Sequence, residues 1–328
     1  MDLFRKILVK SWEGDYDAIA GVLSTQLESI GAEVVVQEYD DHGTMKKNVI
    51  GIFGSPKLLI NCHMDTVPPG AGWNTNPYEL VEKDGRLYGL GTCDTKGNIY
   101  ALLTAVERSR PQNLMILFSF DEEVGNVDSG VTLFLDSELS KNIKYAIVCE
   151  PTGLKFVDRH KGYASFRIKV LTKSGHSSIK RENAIAKAAS LIIDLDQAGF
   201  NISNISGGTK GNITADLCEF KASCRGYDNA GELMERIVGT HSGNIDVQAG
   251  FAGKAFVNGK GVLDLSDGEE VGFWTEAALF QGRGIDSLVF GAGHIEQAHS
   301  DNEFVDISQI EGAIERFSDI FERHGDIE

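Results

Sequence analysis

Histidine and acidic side chains recur where predicted β-strands end, and this combination of side chains can bind metal ions. Four apolar runs are typical of buried strands, and each is followed by such side chains. The runs are residues 58–60, 114–120, 145–148 and 286–290, and the side chains that follow them are His63 and Asp65, Glu122 and Glu123, Glu150, and His299. In an open α/β sheet, ligands bind beyond the carboxyl ends of the strands. We therefore expect these side chains to meet at one edge of one sheet.

A further candidate, Asp94, lies in the glycine-framed segment 89–97, directly before a helical pattern. Imidazole nitrogen and carboxylate oxygen are ligands that Zn²⁺, Co²⁺ and Mn²⁺ accept. Two histidines and three carboxylates suffice for two metal ions that share one bridging carboxylate. Such a pair polarises a carbonyl group and lowers the pKa of a water molecule, so that hydrolysis proceeds at neutral pH.

Each candidate also has a structural interpretation when it is taken alone. His63 could be a core or surface histidine, Asp94 a turn or N-cap residue, and Glu122 and Glu123 solvated surface charge. Their convergence on one sheet edge favours the metal site, because buried carboxylates repel one another unless a cation joins them.

Strands alternate with helices along most of the chain, which predicts an α/β fold with a mixed, largely parallel sheet flanked by helices. Near residue 156 the pattern changes to half-exposed strands of alternating polarity, with a helix at 183–196, a strand at 213–222, a helix at 229–238 and a strand at 245–257. The earlier pattern resumes from residue 262, with a helix predicted at 272–282. We therefore predict a catalytic domain from residues 1–156 and 262–328, interrupted by a smaller α+β domain at 157–261.

Composition excludes several classes of function. The 328 residues carry a net charge of −17, which argues against binding to nucleic acid or to an anionic membrane surface. No apolar stretch approaches the ~20 residues of a membrane span, and no secretory signal is predicted at the N-terminus. The five cysteines form no C-x-x-C motif, and reduced thiols together with the absence of an export signal predict a cytoplasmic protein.

Six motifs occur in an order that resembles the co-catalytic zinc amidohydrolase family of acetylornithine deacetylase, succinyl-diaminopimelate desuccinylase and carboxypeptidase G. They are His63-x-Asp65, Gly91-Thr92-Cys93-Asp94-Thr95-Lys96-Gly97, Asp121-Glu122-Glu123-Val124-Gly125, Glu150-Pro151-Thr152, Gly175-His176-Ser177-Ser178 and Gln297-Ala298-His299. The stretch 73–97 and the run 291–299 look most like acetylornithine deacetylase. The resemblance implies a zinc-exopeptidase-like catalytic domain and an inserted lid domain through which two copies form a homodimer.

The resemblance also implies a role for each matching residue. His63 and Glu150 would bind one metal ion, Glu123 and His299 the other, and Asp94 would bridge them. Asp65 would accept a hydrogen bond from His63, and Glu122 would be the general base. In the inserted domain His176 would stabilise the oxyanion, usually in the partner subunit's site. Arg225 and Asn212 would contact the carboxylate and the oxyanion of the substrate.

The implied reaction is metal-dependent removal of an acyl group from an N-acyl amino acid, first N-acetylornithine in arginine biosynthesis. The metal is expected to be Zn²⁺, with Co²⁺ or Mn²⁺ as alternatives. Thr95 and Ala292 depart from residues common in relatives, so other substrates stay open: acetylcitrulline, acetyl-lysine, succinyl-diaminopimelate or a dipeptide. Outside the enzymes, the alternatives are a non-catalytic binding protein on the same fold and a scaffold protein.

Overall fold

The computed structural model describes residues 1–12, 14–124, 129–227, 229–258 and 265–324. The chain divides into two compact units. The first contains Met1–Arg159, Phe256–Val271 and Thr275–Glu328, and the second contains His160–Ala255 and Gly272–Trp274. The second unit is thus interposed in the sequence of the first. The predicted boundary at 261/262 lies outside the described residues.

A mixed sheet organises the first unit. Its strands are β1 (Glu33–Asp41), β2 (Thr44–Phe53), β3 (Leu58–His63), β6 (Leu114–Ser119), β7 (Tyr145–Cys149), β8 (Val157–His160), β13 (Phe256–Val257), β14 (Glu269–Val271) and β15 (Asp286–Phe290). Their order is β1-β2-β6-β3-β7-β15-β8-β13, with β14 paired to β8. The pairs β6–β3, β3–β7 and β7–β15 are parallel, whereas β1–β2, β2–β6 and β15–β8 are antiparallel. The predicted mixed α/β sheet is confirmed, and its parallel part is the central four strands.

Helices cover this sheet because the central strands are apolar on both faces. Every residue of β3 and β6 is buried, as a strand sandwiched between helices requires. The helices of the unit are α1 (Asp2–Ile7), α2 (Asp17–Ser29), α3 (Lys96–Ser109), α4 (Gly130–Leu135), α7 (Ala277–Gly282) and α8 (Ile307–His324). Two buried apolar clusters result, one containing Leu102, Phe118 and Phe317, the other containing Leu117, Phe134 and Phe280.

A small antiparallel sheet lies in the same unit, with the order β16-β5-β4. It consists of β4 (Val81–Lys83), β5 (Arg86–Tyr88) and β16 (Phe304–Asp306). Strand β5 leads into the glycine-framed segment that contains Asp94, and β16 follows the segment that contains His299. This sheet therefore joins two segments that are far apart in sequence.

The second unit is a four-stranded antiparallel sheet of order β10-β11-β9-β12 with two helices. The strands are β9 (Tyr163–Leu171), β10 (Asn201–Gly207), β11 (Leu217–Arg225) and β12 (Asn244–Gly253), and the helices are α5 (Ala184–Gln197) and α6 (Ala230–Val238). Side chains of β11 alternate between buried and less buried positions, so one face carries the apolar core of this unit.

Three predicted element boundaries are wrong. The strand predicted at 213–222 is β11, which begins at Leu217, because Thr214 donates its N–H to Gly175 (2.8 Å) instead of joining the ladder. The strand predicted at 245–257 is interrupted between β12 and β13. The helix predicted at 272–282 begins only at Ala277, after Glu276. Within the described residues, no helix combines the length and the apolar character needed to cross a membrane.

Candidate metal centre

Three parallel strands bring their terminal residues to one edge of the large sheet. His63 is the last residue of β3 and pairs in register with Ser119, the last residue of β6. Glu122 and Glu123 lie in the turn directly after β6, and Glu150 follows β7 on the other side of β3. Because the strands run in the same direction, their carboxyl ends place these side chains close together.

Asp94 reaches the same edge from the segment between β5 and α3. Gly91 in this segment has φ +83°, a left-handed conformation that favours glycine, and a Cβ there would press on Thr66 and Lys96. The Asp94–Thr95 peptide is cis. His299 arrives from the segment after β15 and itself has φ +55°.

The described residues contain three groups whose possible ligand atoms all lie within 4.8 Å of one another. The groups are His63, Asp94 and Glu150; Asp94, Glu123 and His299; and His63, Glu122 and Glu123. The first two share Asp94, as two neighbouring metal ions with a bridging carboxylate would require. The third group makes Glu122 an alternative ligand on distance alone.

Hydrogen bonds connect these side chains directly. His63 Nε2 lies 3.0 Å from Asp94 Oδ1, and His299 Nε2 lies 2.9 Å from Glu123 Oε1 and 3.3 Å from Asp94 Oδ2. His63, Asp94 and Glu150 are 2, 7 and 4 % exposed, whereas the His299 side chain is 52 % exposed. The centre is therefore buried on the sheet side and open on the side of His299.

The charges of this cluster are unbalanced without a cation. Burial, reinforced by neighbouring carboxylates, raises the pKa values of Glu122, Glu123 and Glu150 above the ordinary value. Hydrogen bonds to Asp94 and Glu123 raise the pKa of His299 to about 11. Burial by itself would lower the pKa of His63. Hydrogen bonds and charge interactions with Asp65 and Asp94 outweigh burial, and the pKa lies well above its ordinary value. The raised pKa values favour protonated forms of these groups where no cation is bound, and histidine and carboxylate donors suit Zn²⁺, Co²⁺ and Mn²⁺ alike.

Asp65 contacts both neighbouring segments of the cluster. His63 Nδ1 lies 3.0 Å from the Asp65 carbonyl oxygen and 3.5 Å from its carboxylate. The carboxylate also accepts the backbone N–H of Glu123 (3.0 Å) and, more weakly, that of Glu122 (3.4 Å). Asp65 thereby restrains the ring of His63 and the turn that carries Glu122 and Glu123.

The three cysteines that directly precede residues of the cluster pack inward. Cys62, Cys93 and Cys149 are fully buried. No cysteine belongs to any of the three possible metal-binding groups among the described residues.

His176, Asn212 and Arg225 belong to the second unit, and all three are exposed there. An isolated antiparallel bridge joins His176 to Ile213, and Ser177 donates its N–H to the Asn212 carbonyl oxygen (3.1 Å). The fold thus brings the segments of His176 and Asn212 together. Arg225 ends β11, with its guanidinium 5.0 Å from the ring centroid of Tyr163.

Sequence patterns gave no reason to single out two buried acids of the first unit. Glu303 accepts hydrogen bonds from the backbone of the Asp94 segment, and Glu276 accepts them from Asn61 (2.7 Å) and Ser119 (3.1 Å). Burial raises the pKa of both carboxyl groups to about 7. The only sequence signal for Glu303 is its position four residues after His299.

The chain is similar to known proteins over most of its length. Residues 59–323 match the model of peptidase family M20/M25/M40. The N-acetyl-L-citrulline deacetylase of Xanthomonas campestris pv. campestris is 30 % identical, covering 89 % of this chain and 87 % of that protein. The acetylornithine deacetylase of Aliivibrio fischeri is 30 % identical over 96 % of this chain and 93 % of that protein.

Solved structures share the fold. Human carnosine dipeptidase 1 superposes with a TM-score of 0.80 at 16 % identity, covering 99 % of this chain and 94 % of the other. The Bacillus subtilis YXEP protein, described as a dinuclear metal-binding peptidase, superposes with a TM-score of 0.65 at 16 % identity over 98 % and 95 %. The family match over most of the chain, together with the histidine and carboxylate cluster, shows that the chain belongs to peptidase family M20/M25/M40 and is a metal-dependent amidohydrolase.

Proposed function

We propose that this enzyme removes the acetyl group from N-acetylornithine, giving ornithine and acetate, in arginine biosynthesis in the cytoplasm. The observation that carries the proposal is the pair of possible metal-binding groups that share Asp94, with Glu122 beside them. Relatives named acetylornithine deacetylase and N-acetyl-L-citrulline deacetylase support the acyl amino acid as the class of substrate.

In this proposal His63 and Glu150 would hold one ion, Glu123 and His299 would hold the other, and Asp94 would be the ligand that both share. When bound, the two ions, Zn²⁺ first and Co²⁺ or Mn²⁺ otherwise, polarise the amide carbonyl and acidify the attacking water. Asp65 restrains His63, so that the ring keeps Nε2 directed toward Asp94.

Glu122 is the proposed general base. Glu122 and Glu123 lie in a turn, and their carboxylates are within 4.8 Å of each other and of His63, rather than on opposite faces as consecutive strand residues would be. In the proposal Glu123 binds metal and Glu122 beside it faces the water. Glu122 takes a proton from the attacking water as the water oxygen bonds to the acyl carbon. It then passes the proton to the amine nitrogen as the carbon–nitrogen bond breaks.

The second unit contributes the proposed contacts to the substrate. His176 Nδ1 lies 2.8 Å from Ser178 Oγ and 3.3 Å from the Ser178 backbone N–H, which leaves Nε2 as the ring nitrogen that would donate to an oxyanion in this proposal. Asn212 would add a second contact to that oxyanion. Arg225 would bind the substrate carboxylate, which suits its fork of donors.

Two other candidates fit specific observations. N-Acetylcitrulline is the substrate in the name of one 30 % identical relative, and a dipeptide matches the name of human carnosine dipeptidase 1, which shares the fold. N-Acetyl-lysine and N-succinyl-diaminopimelate would use the same chemistry. A non-catalytic binding protein on this fold would need none of the six proposed ligand and base side chains, all of which are present here.

A substrate panel tests the reaction. We expect the Zn²⁺- or Co²⁺-loaded enzyme to release free amine fastest from N-acetylornithine among that compound, N-acetylcitrulline, N-acetyl-lysine, N-succinyl-diaminopimelate and a dipeptide. The metal-free protein should release none. Fastest release from another compound would retain the mechanism and change the substrate. No release from any compound by protein that contains metal would exclude this function.

Replacing Glu122 tests whether this residue acts as a general base or as a metal ligand. We expect Glu122→Gln to bind two metal ions with unchanged affinity while kcat falls by about 10²–10⁴-fold, because only proton transfer is lost. Glu123→Gln should instead weaken binding of one ion. Metal content by elemental analysis and steady-state kinetics distinguish the two variants. Loss of an ion from Glu122→Gln would make Glu122 a ligand, as the group of His63, Glu122 and Glu123 allows.

Metal binding should release protons. The raised pKa values of His63 and His299 favour a proton on each ring in the metal-free protein, and each ring must lose that proton to bind metal. We expect the release of about two or more protons per chain, and affinity that increases with pH. Calorimetric titration with Zn²⁺ in two buffers of different ionisation enthalpy measures this number. His299→Ala should lower it by about one and His176→Ala should not change it; no release from the wild type would contradict the assignment.

We also propose that two copies associate through the second unit and that His176 acts in the partner's site. Mixing His176→Ala with Glu122→Gln should then restore part of the activity, because a mixed dimer contains one site with both residues intact. Light scattering measures the mass of the same samples. A fully active wild-type monomer would rule out the action of His176 in a partner's site.

A further inference from the structure

The carboxylate of Glu303 accepts hydrogen bonds from three backbone N–H groups of the glycine-framed segment that contains Asp94. Glu303 is 2 % exposed. Its Oε2 accepts the N–H of Gly91 (2.8 Å), and its Oε1 accepts the N–H groups of Cys93 (2.7 Å) and Asp94 (3.0 Å). Hydrogen bonds to an ionised acceptor are shorter and stronger than neutral ones.

These three bonds extend a ladder that already joins two distant segments. Phe304 of β16 pairs with Tyr88 of β5, and Gly89 donates its N–H to the Glu303 carbonyl oxygen (3.1 Å). The side chain of Glu303 then binds the next amides along the same segment. The result fixes the segment that carries Asp94 against the segment that carries His299.

This contact fixes the backbone at Asp94. The backbone N–H of Asp94 donates a hydrogen bond to Glu303. The Cα bonded to this nitrogen carries the Asp94 side chain, so fixing the nitrogen also restrains the carboxylate. Both candidate metal-binding groups that contain Asp94 would be disturbed together by a shift of this Cα. Metal sites require ligand positions accurate to about 0.5 Å, which residues outside the ligand set must enforce.

We propose that Glu303 is a positioning residue. It holds the Asp94 carboxylate in the place where both metal ions would bind it, and it fixes the position of this carboxylate relative to His299. This inference rests on the proposed role of Asp94 as the bridging ligand. Glu303 binds neither metal nor substrate. It acts through the backbone amides of Gly91, Cys93 and Asp94.

The test replaces Glu303 with Gln, which keeps the side-chain size but cannot carry a negative charge. The NH₂ of the Gln side chain is a donor, so it would face at least one of the three backbone N–H groups without being able to accept its hydrogen bond. Asp306→Asn is the matched control, since it makes the same carboxylate-to-amide change on β16, in an exposed ion pair with Arg86 (3.1 Å). Two measurements are made on each protein. One is hydrogen exchange of the peptide covering residues 89–95 in the metal-free protein, and the other is Zn²⁺ affinity by competition with a chromophoric chelator.

We expect Glu303→Gln to weaken Zn²⁺ binding at both sites by about 10–100-fold, the usual effect of losing a residue that supports metal ligands. Exchange of the 89–95 amides should become faster in the same variant. Asp306→Asn should stay within about twofold of the wild type in both measurements. Glu303→Asp, which keeps the charge on a shorter side chain, should lie between the wild type and Glu303→Gln, and it replaces Glu303→Gln if that variant does not fold.

Two results would overturn the proposal. Unchanged Zn²⁺ affinity, with or without a lower unfolding temperature, would reduce Glu303 to a residue that stabilises the fold only. Weaker Zn²⁺ binding without faster exchange at 89–95 would show that the effect does not pass through the Asp94 segment. A wild-type protein that binds no Zn²⁺ is a different result, because it would reject the proposed metal ligands as well.

Discussion

Mutual repulsion among buried carboxylates is the constraint on which this structure depends. Asp94, Glu122, Glu123 and Glu150 lie around one edge of the large sheet, and burial raises the pKa of all but Asp94. Hydrogen bonds from His299 and His63 outweigh the effect of burial on Asp94 and lower its pKa. A cluster of this kind is costly unless cations neutralise it, so the feature that destabilises the metal-free fold also makes the cluster a candidate site for divalent metal.

The fold holds these groups together through rigid elements and a few long-range contacts. Strands β6, β3 and β7 are adjacent and parallel, so their ends cannot separate without breaking the centre of the sheet. The turn after β6 is less regular: Asp121 has φ +61° and is held by Tyr16 (2.5 Å) and by a buried ion pair with Lys46. Such backbone conformations persist where surrounding contacts determine them, and here they aim Glu122 and Glu123 at the cluster.

In the proposed function, reaction and specificity reside in different parts of the chain. All proposed metal ligands and the proposed base belong to the first unit, whereas the residues proposed to contact the oxyanion and the substrate carboxylate belong to the second. Proteins of this fold carry names as different as deacetylase and dipeptidase. The proposed division gives a physical reason: one metal centre could hydrolyse many amides, and the residues proposed to contact the rest of the substrate would select among them.

The sequence by itself determined the fold class, the helices and strands of the parallel region and the set of candidate ligands. It could do so because buried strands are continuous apolar runs, and because polar groups at the carboxyl ends of parallel strands meet at one edge. It predicted element ends less well. Residues 213–216 belong to the predicted strand but not to β11, and residues 272–276 belong to the predicted helix but not to α7, because contacts with other segments override the local pattern there.

Only the tertiary structure decided which atoms approach one another. Asp94 is shared by two groups because β5, β16 and the backbone turn fix its segment, and no local pattern encodes that register. The burial of Glu303 and Glu276 had no local signal either, since Glu303 binds amides about 210 positions earlier in the chain and Glu276 binds Asn61, 215 positions earlier. The local sequence does not identify the hydrogen-bond partner of an acidic residue when that partner lies so far away in the chain. The partner is defined only when the fold brings the two segments together.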